Sequence, residues 1–293
     1  VEIRAKGMHQ VHPLLVAVGH LVQQALHLGR EAHVHEMREV LHQLLTDHAP
    51  QIGGVFLFGG SGGRMLEALL FMAFAGITPE ETLDLVLCDP DGDGMHGAVQ
   101  LRQELADYQR IWASRTYIGT ENPAFQTEIN LRTWCDPLPM NAKTLADWTQ
   151  DEKQDVLLCQ ALFPADTSSL DLRQGFHDHP ELARVAFAAM LSECENDPDD
   201  AMRRTLDEIQ SALNAGEEVR VVLAGSLCGG TGAAGIESVA ALLQNRFGQN
   251  DNFRMGAVLM LPCADGESPA RAQAALERIS IENALQTVCL LGL

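Results

Sequence analysis

The chain has 293 residues, 46% hydrophobic and 20% charged, enough to bury the core of one large domain or of a domain plus an appendage. Twenty basic against forty acidic residues give a net charge of −20, which excludes general binding to a nucleic acid backbone, a task that needs a basic face. No apolar run is long enough to span a membrane and no signal peptide is visible, so neither nucleic acid nor membrane is expected as a partner.

Seven cysteines, at 88, 135, 159, 194, 228, 263 and 289, are dispersed without a CxxC pair. An odd, scattered set predicts reduced thiols in a cytoplasmic protein. Residues 1–50 carry two amphipathic helical patterns, roughly 11–28 and 31–48. Eight of the eleven histidines fall there, at 9, 12, 20, 27, 33, 35, 42 and 48. No cysteine or carboxylate pair completes a tetrahedral set among them, so they are read as solvated helix residues and no protein-held metal is expected.

From residue 51 the character changes, and 51–293 is read as one nucleotide-binding domain. Residues 55–58 predict a strand, 59–63 a glycine turn and 64–75 a helix. A second strand at 83–88 ends in the acidic loop DPDGDG at 89–94, and a helix is expected over 97–113. Residues 114–175, with prolines at 123, 137, 139 and 164, are expected to be mixed and rich in loops. Helices follow at 180–194, opening on a proline, and at 199–215. The β-branched run at 219–223 predicts a buried strand, followed by a turn crowded with glycines 225, 229, 230, 232 and 235 and a helix that continues to 244. A strand at 255–261, a loop at 262–268 and a helix over 269–284 complete the pattern. The apolar ending QTVCLLGL suggests a piece of a longer chain, truncated at its C-terminus. Strands alternating with helices predict a three-layer α/β fold: a mainly parallel, Rossmann-like sheet with helices on both faces, preceded by the helical segment 1–50.

In an open parallel sheet, ligands bind at the carboxyl ends of the strands. A strand, a glycine turn and a helix in that order build an anion site, because bare backbone N–H groups and the helix N-terminus face the ligand. Two such turns, Gly59-Gly60-Ser61-Gly62-Gly63-Arg64 and Gly229-Gly230-Thr231-Gly232-Ala233, suggest a ligand with more than one phosphate. The alternative is that the glycines serve only close packing; every residue from Gly229 to Ala233 being tiny or hydroxylated favours the anion site. No lysine follows Gly230, so this is not the GxxxxGK[ST] loop of P-loop proteins. Asp89 or Asp91 could bond a ribose hydroxyl or hold Mg²⁺ through water, or could belong to a solvated turn. His177 and His179, ahead of a helix N-terminus, could reach a terminal phosphate or be ordinary surface histidines.

GGTGAAG at 229–235 resembles the glycine-rich loop of the tubulin/FtsZ superfamily, usually GGGTG[ST]G. Cys228 stands for its first glycine, and Ala233 and Ala234 depart from the [ST] pattern. GGSGGR at 59–64 occupies the place of that family's first phosphate loop. GFHDHPELAR at 175–184 is similar to the bacterial γ-phosphate loop, roughly GAGANPEIGR. Glu267 and Arg271 keep the spacing of the family's FEGxxR ribose pair. The resemblance covers about 53–280. The acidic DPDGDG loop resembles less-known bacterial tubulin-like proteins more than tubulin or the cell-division proteins. The resemblance implies GTP or GDP with Mg²⁺, and a homo-oligomer or filament. The family's NxDxxD catalytic loop, which acts on the neighbouring subunit, has no counterpart before Leu293, so catalytic residues are not assigned and hydrolysis stays open.

Three rivals compete. A ThiF-like adenylating enzyme would use GGSGGR, DPDGDG and Leu101-Arg102-Gln103, but the zinc-binding CxxC pairs of that family are absent. A serine hydrolase would use Ser61 in GxSxG, with a base at His177 or His179 and an acid such as Asp91. A nucleotide-sensing Rossmann-like module would use the same glycine turns without catalysis.

Overall fold

The computed structural model describes residues 52–74, 82–91, 98–113, 127–135, 144–148, 157, 161–176, 179–260, 273–277 and 287–291. The expected helical segment 1–50 lies outside them. Six strands form one sheet: β1 (Ile52–Phe58), β2 (Thr82–Cys88), β3 (Glu128–Trp134), β4 (Val219–Ser226), β5 (Phe253–Met260) and β6 (Thr287–Leu291). Their order is β3-β2-β1-β4-β5-β6 and every neighbouring pair is parallel. All carboxyl ends therefore share one edge. Five helices of three turns or more accompany them among the described residues: α1 (Gly59–Phe74), α2 (Ala98–Ala113), α3 (Pro180–Cys194), α4 (Ala201–Asn214) and α5 (Gly230–Phe247).

The strands alternate between two cores because successive side chains point to opposite faces. Val55 and Leu57 of β1, with Leu83, Leu85 and Leu87 of β2, pack with Leu66 and Leu70 of α1 and Leu105 and Tyr108 of α2. Phe56, Phe58, Val86, Cys88, Val221 and Leu223 turn the other way, into a core shared with α3, α4 and α5. This is the three-layer α/β arrangement that the alternation of elements predicts. The reversal in strand order places a topological switch at β1: its successor β2 lies on one side and β4 on the other.

Two local expectations change. β3 falls inside 114–175, which the sequence presents as mixed and rich in loops without marking a strand. It is an edge strand whose exposed positions Glu128 and Asn130 break up the apolar run, and Arg132 is tied to Glu208 of α4 by a two-pronged ion pair at 2.8 and 2.6 Å. The glycine turns are also shorter than expected. β1 passes directly into α1 at Gly59, and α5 begins at Gly230 rather than near 236. Glycine is a poor helix former in isolation, but tertiary packing decides here: a Cβ at Gly62 would lie 2.6 Å from the Leu57 carbonyl carbon and one at Gly232 2.1 Å from the Ser226 carbonyl oxygen. Only glycine lets each helix start so close to its own strand. The apolar ending, whose composition suits a strand or a helix, is a strand at Thr287–Leu291.

Candidate functional site

The site is built where the strands end level with one another. Phe58 of β1 is in register with Cys88 of β2 and with Gly225 of β4, and Gly225 with Leu259 of β5. Chain leaving β1, β2 and β4 thus emerges side by side, and the β1–β4 boundary is the switch point at which open parallel sheets form a crevice.

The two glycine turns meet there. Gly59 has a φ of +66°, a left-handed conformation that favours glycine. Its missing Cβ would lie 3.3 Å from Cβ of Thr231. Thr231 is buried, 7% exposed, so its side chain fills the seam between the turns. Gly62, Gly225, Gly232 and Gly235 are glycine for packing reasons, with Phe58 and Phe187 pressed against Gly235 and Phe58 against Gly225. Gly60 is different. It is exposed and nothing stands within 4 Å of where a Cβ would be. Gly60, half-buried Ser61, half-buried Cys228 and half-buried Gly229 give the seam its open surface; Gly63 is buried and Arg64 exposed.

Helix starts leave backbone N–H groups without intrahelical acceptors. At α4 a side chain takes them: Asp200 accepts from the N–H groups of Met202 and Arg203 at 2.8 and 3.1 Å. At α5 the capping residue is Gly229, which has no side chain to offer. The Ala233 N–H already donates to the Gly229 carbonyl at 3.2 Å, so Gly230, Thr231 and Gly232 hold the N–H groups suited to an external anion. The turn itself is fastened: the Leu227 N–H donates to the Met260 carbonyl at 3.0 Å and the Cys228 N–H to Ser226 Oγ at 3.1 Å.

The acidic loop follows β2. Asp89 is buried, 5% exposed, and its carboxylate accepts from the Asp91 N–H at 3.2 Å; Asp91 is half-buried. Asp89 therefore shapes its own turn, beside the β1 turn, and burial with the Asp89 charge pushes the neighbouring Cys88 thiol well up. His179 caps α3 without a side-chain bond to that helix's N–H groups, and its Nδ1 lies 3.1 Å from Glu181 Oε1. His177, Glu267 and Arg271 lie outside the described residues. Among those described, no group of three His, Cys, Asp or Glu is arranged to hold a metal ion. Arg102 is hydrogen-bonded to Thr133 of β3, which ties the residue the adenylating rival would use to the sheet edge.

One pair went unnoticed in the sequence. Arg184 of α3 donates from Nε to Glu237 Oε2 of α5 at 3.0 Å. Arg184 ends the stretch 175–184, but nothing in the sequence pairs it with a glutamate 53 positions on. Beneath the seam, Phe187 packs against Phe58, Trp134 and Phe176 at centroid distances of 6.4, 5.7 and 6.0 Å.

With this geometry in place, comparison with known proteins is informative. Residues 161–286 match the family model described as "Tubulin like". That stretch contains α3, α4, β4, the 227–232 turn, α5 and β5. No curated protein matches. Among solved structures, CetZ from Methanosaeta thermophila is similar at 14% identity and a TM-score of 0.41, over 82% of this chain and 45% of that one. The empty FtsZ dimer of M. jannaschii is similar at 15% identity and a TM-score of 0.38, over 86% of this chain and 48% of that one. The chain thus spans about half the length of these structures.

Proposed function

We propose, from the premise that this chain is tubulin-like over residues 161–286, that it binds a guanine nucleotide, GTP or GDP, across the β1–β4 switch point. The observation that carries this reading is the seam itself: the turns at 59–63 and 229–232 touch, one offers an unobstructed Gly60 and the other a helix start with no side-chain cap. The segments Gly59–Gly63 and Gly229–Gly232 form the phosphate cradle, the N–H groups at the very starts of α1 and α5 facing the phosphates, with Ser61 adding a hydroxyl donor at the open rim. Thr231 supports them by packing on Gly59.

The described side chains at this edge include Asp89, Asp91 and Glu181 against Arg64, so phosphate is recognised by backbone dipoles more than by cations. Mg²⁺ arriving with the nucleotide would offset charge between the outer phosphates and these carboxylates, with Asp91 the more accessible candidate to reach it through water. His179 stands at the same edge for a terminal phosphate, and Glu267 and Arg271 are proposed to hold the ribose. Hydrolysis, if the nucleotide is cut, requires residues brought by a neighbouring subunit in a homo-oligomer or filament. No described helix is long and apolar enough to cross a membrane, and a cytoplasmic setting is part of the proposal.

Thermal-shift measurements with GTP, ATP, NAD and cyclic oligonucleotides test the reading. GTP with Mg²⁺ should raise Tm, and light scattering should rise with GTP. A protein blind to GTP but stabilised by ATP, with pyrophosphate exchange, would replace it by the adenylating alternative. Labelling of Ser61 by a fluorophosphonate would instead indicate a serine hydrolase.

A further inference from the structure

α3 and α5 pack along one another in the same direction. Arg184 meets Glu237 and Phe187 meets Gly235 near their starts. The far ends of both helices converge on α4, where Arg203 donates to the Glu195 carbonyl that closes α3 and to Asp207, and Arg246 of α5 donates to the same Asp207. The start of α3, at His179–Pro180, is therefore carried to the same edge as the start of α5, at Gly229–Gly230. Arg184 is the fifth residue of its helix and Glu237 the eighth of its own, so their ion pair ties the two helices one to two turns behind their starts. It is a mostly covered contact, with Glu237 only 13% exposed and Arg184 31%.

The pair is poorly suited to serve stability alone. Arg184 Nη2 is buried and has no hydrogen-bond partner, an arrangement that costs free energy and calls for an explanation. Replacing such a covered ion pair by apolar residues of similar volume is often neutral or stabilising. What apolar residues do not supply is a directional bond that fixes one helix against the other along its axis. We infer that Arg184 and Glu237 form a positioning clamp that sets the 227–232 turn against the start of α3 at His179–Pro180, and so fixes the spacing between the N–H groups of the α5 start and the α3 start that a nucleotide's phosphates require. The nucleotide half of this statement rests on the function proposed above; the mechanical half does not.

The test uses the Arg184→Met/Glu237→Leu double variant and the charge-exchanged Arg184→Glu/Glu237→Arg variant of the full chain. Amide hydrogen exchange is followed without ligand, and GTP affinity is measured by titration with Mg²⁺ present. The apolar pair should keep or raise Tm, yet speed exchange in 227–233 and 181–184 several-fold and weaken GTP binding about tenfold. The exchanged pair should recover much of both, and it remains informative if the apolar pair does not fold. Exchange and affinity equal to the parent in the folded apolar variant would overturn the clamp, and so would a folded charge-exchanged variant that exchanges several-fold faster than the parent. Faster exchange in a protein whose parent shows no affinity for GTP would uphold the clamp and remove the nucleotide reading instead.

Discussion

Gly60 and Gly232 both carry a hydrogen where other residues carry a side chain, for different reasons. A Cβ at Gly232 would sit 2.1 Å from the Ser226 carbonyl oxygen, whereas at Gly60 it would meet nothing. Gly232→Ala should lower stability by about 1–3 kcal/mol through forced displacement of the β4 end. Gly60→Ala should change it by about 1 kcal/mol or less, in the stabilising direction where the helix backbone benefits. Urea unfolding of both variants checks the contrast, and equal losses would refute the packing argument. The cysteines differ in the same way. Burial, then the Asp200 and Glu195 charges, push the Cys194 thiol up to about 11, and Cys88 is buried as well. Cys228 is half-buried beside the seam. Alkylation at pH 8, followed by peptide mass spectrometry, should therefore modify Cys228 ahead of Cys88 and Cys194, and GTP should slow it. A Cys228 that reacts at the same rate with and without GTP would place the ligand elsewhere.

At the level of elements, legibility followed burial. β1, β2 and most of β4 are readable as apolar runs covered on both faces, β5 as an apolar run buried on one face at Phe253, Met255, Ala257 and Leu259 and half-buried on the other, and α4 as a helix capped by Asp200. β3 has no such signature because an edge strand tolerates Glu128, Asn130 and Arg132, the last two bonded to Asp84 and Glu208 far away in the chain. The helix starts were misjudged because glycine runs signal loops, while the clashes that demand glycine at 62 and 232 exist only in three dimensions. The candidate site was legible as two glycine turns. That they touch through Gly59 and Thr231, and that Arg184 and Glu237 join the helices behind them, was not. The surface network on α4 gives a pH prediction of definite sign. The hydrogen bond from Arg203, then its charge and that of Arg246, lower the Asp207 carboxyl below its ordinary 3.8. A lowered folded-state pKa favours the charged, folded form above the unfolded value and loses that contribution as pH falls through the folded value. Asp207→Asn should thus differ from the parent in Tm at neutral pH by a small amount, the site being exposed, and the two melting curves should converge below about pH 3. A difference that grows with acidification would contradict the assignment.

The whole molecule sets a problem that the seam answers. A chain of net charge −20 is a poor general host for anions. The proposed phosphate binding rests on local features instead: a parallel sheet gathers carboxyl ends at one edge, the strand order reverses there, and two helix starts bring N–H groups to that edge. The proposed cradle comprises both glycine-rich helix starts, at 59–63 and 229–232. The direct measurement is calorimetric titration of GTP with Mg²⁺ into the parent and into Gly60→Asp, a variant that places a carboxylate in the open position without a clash. The parent should bind, and Gly60→Asp should lose at least tenfold in affinity while keeping its Tm within a few degrees. Undiminished binding by a folded Gly60→Asp protein would contradict the cradle.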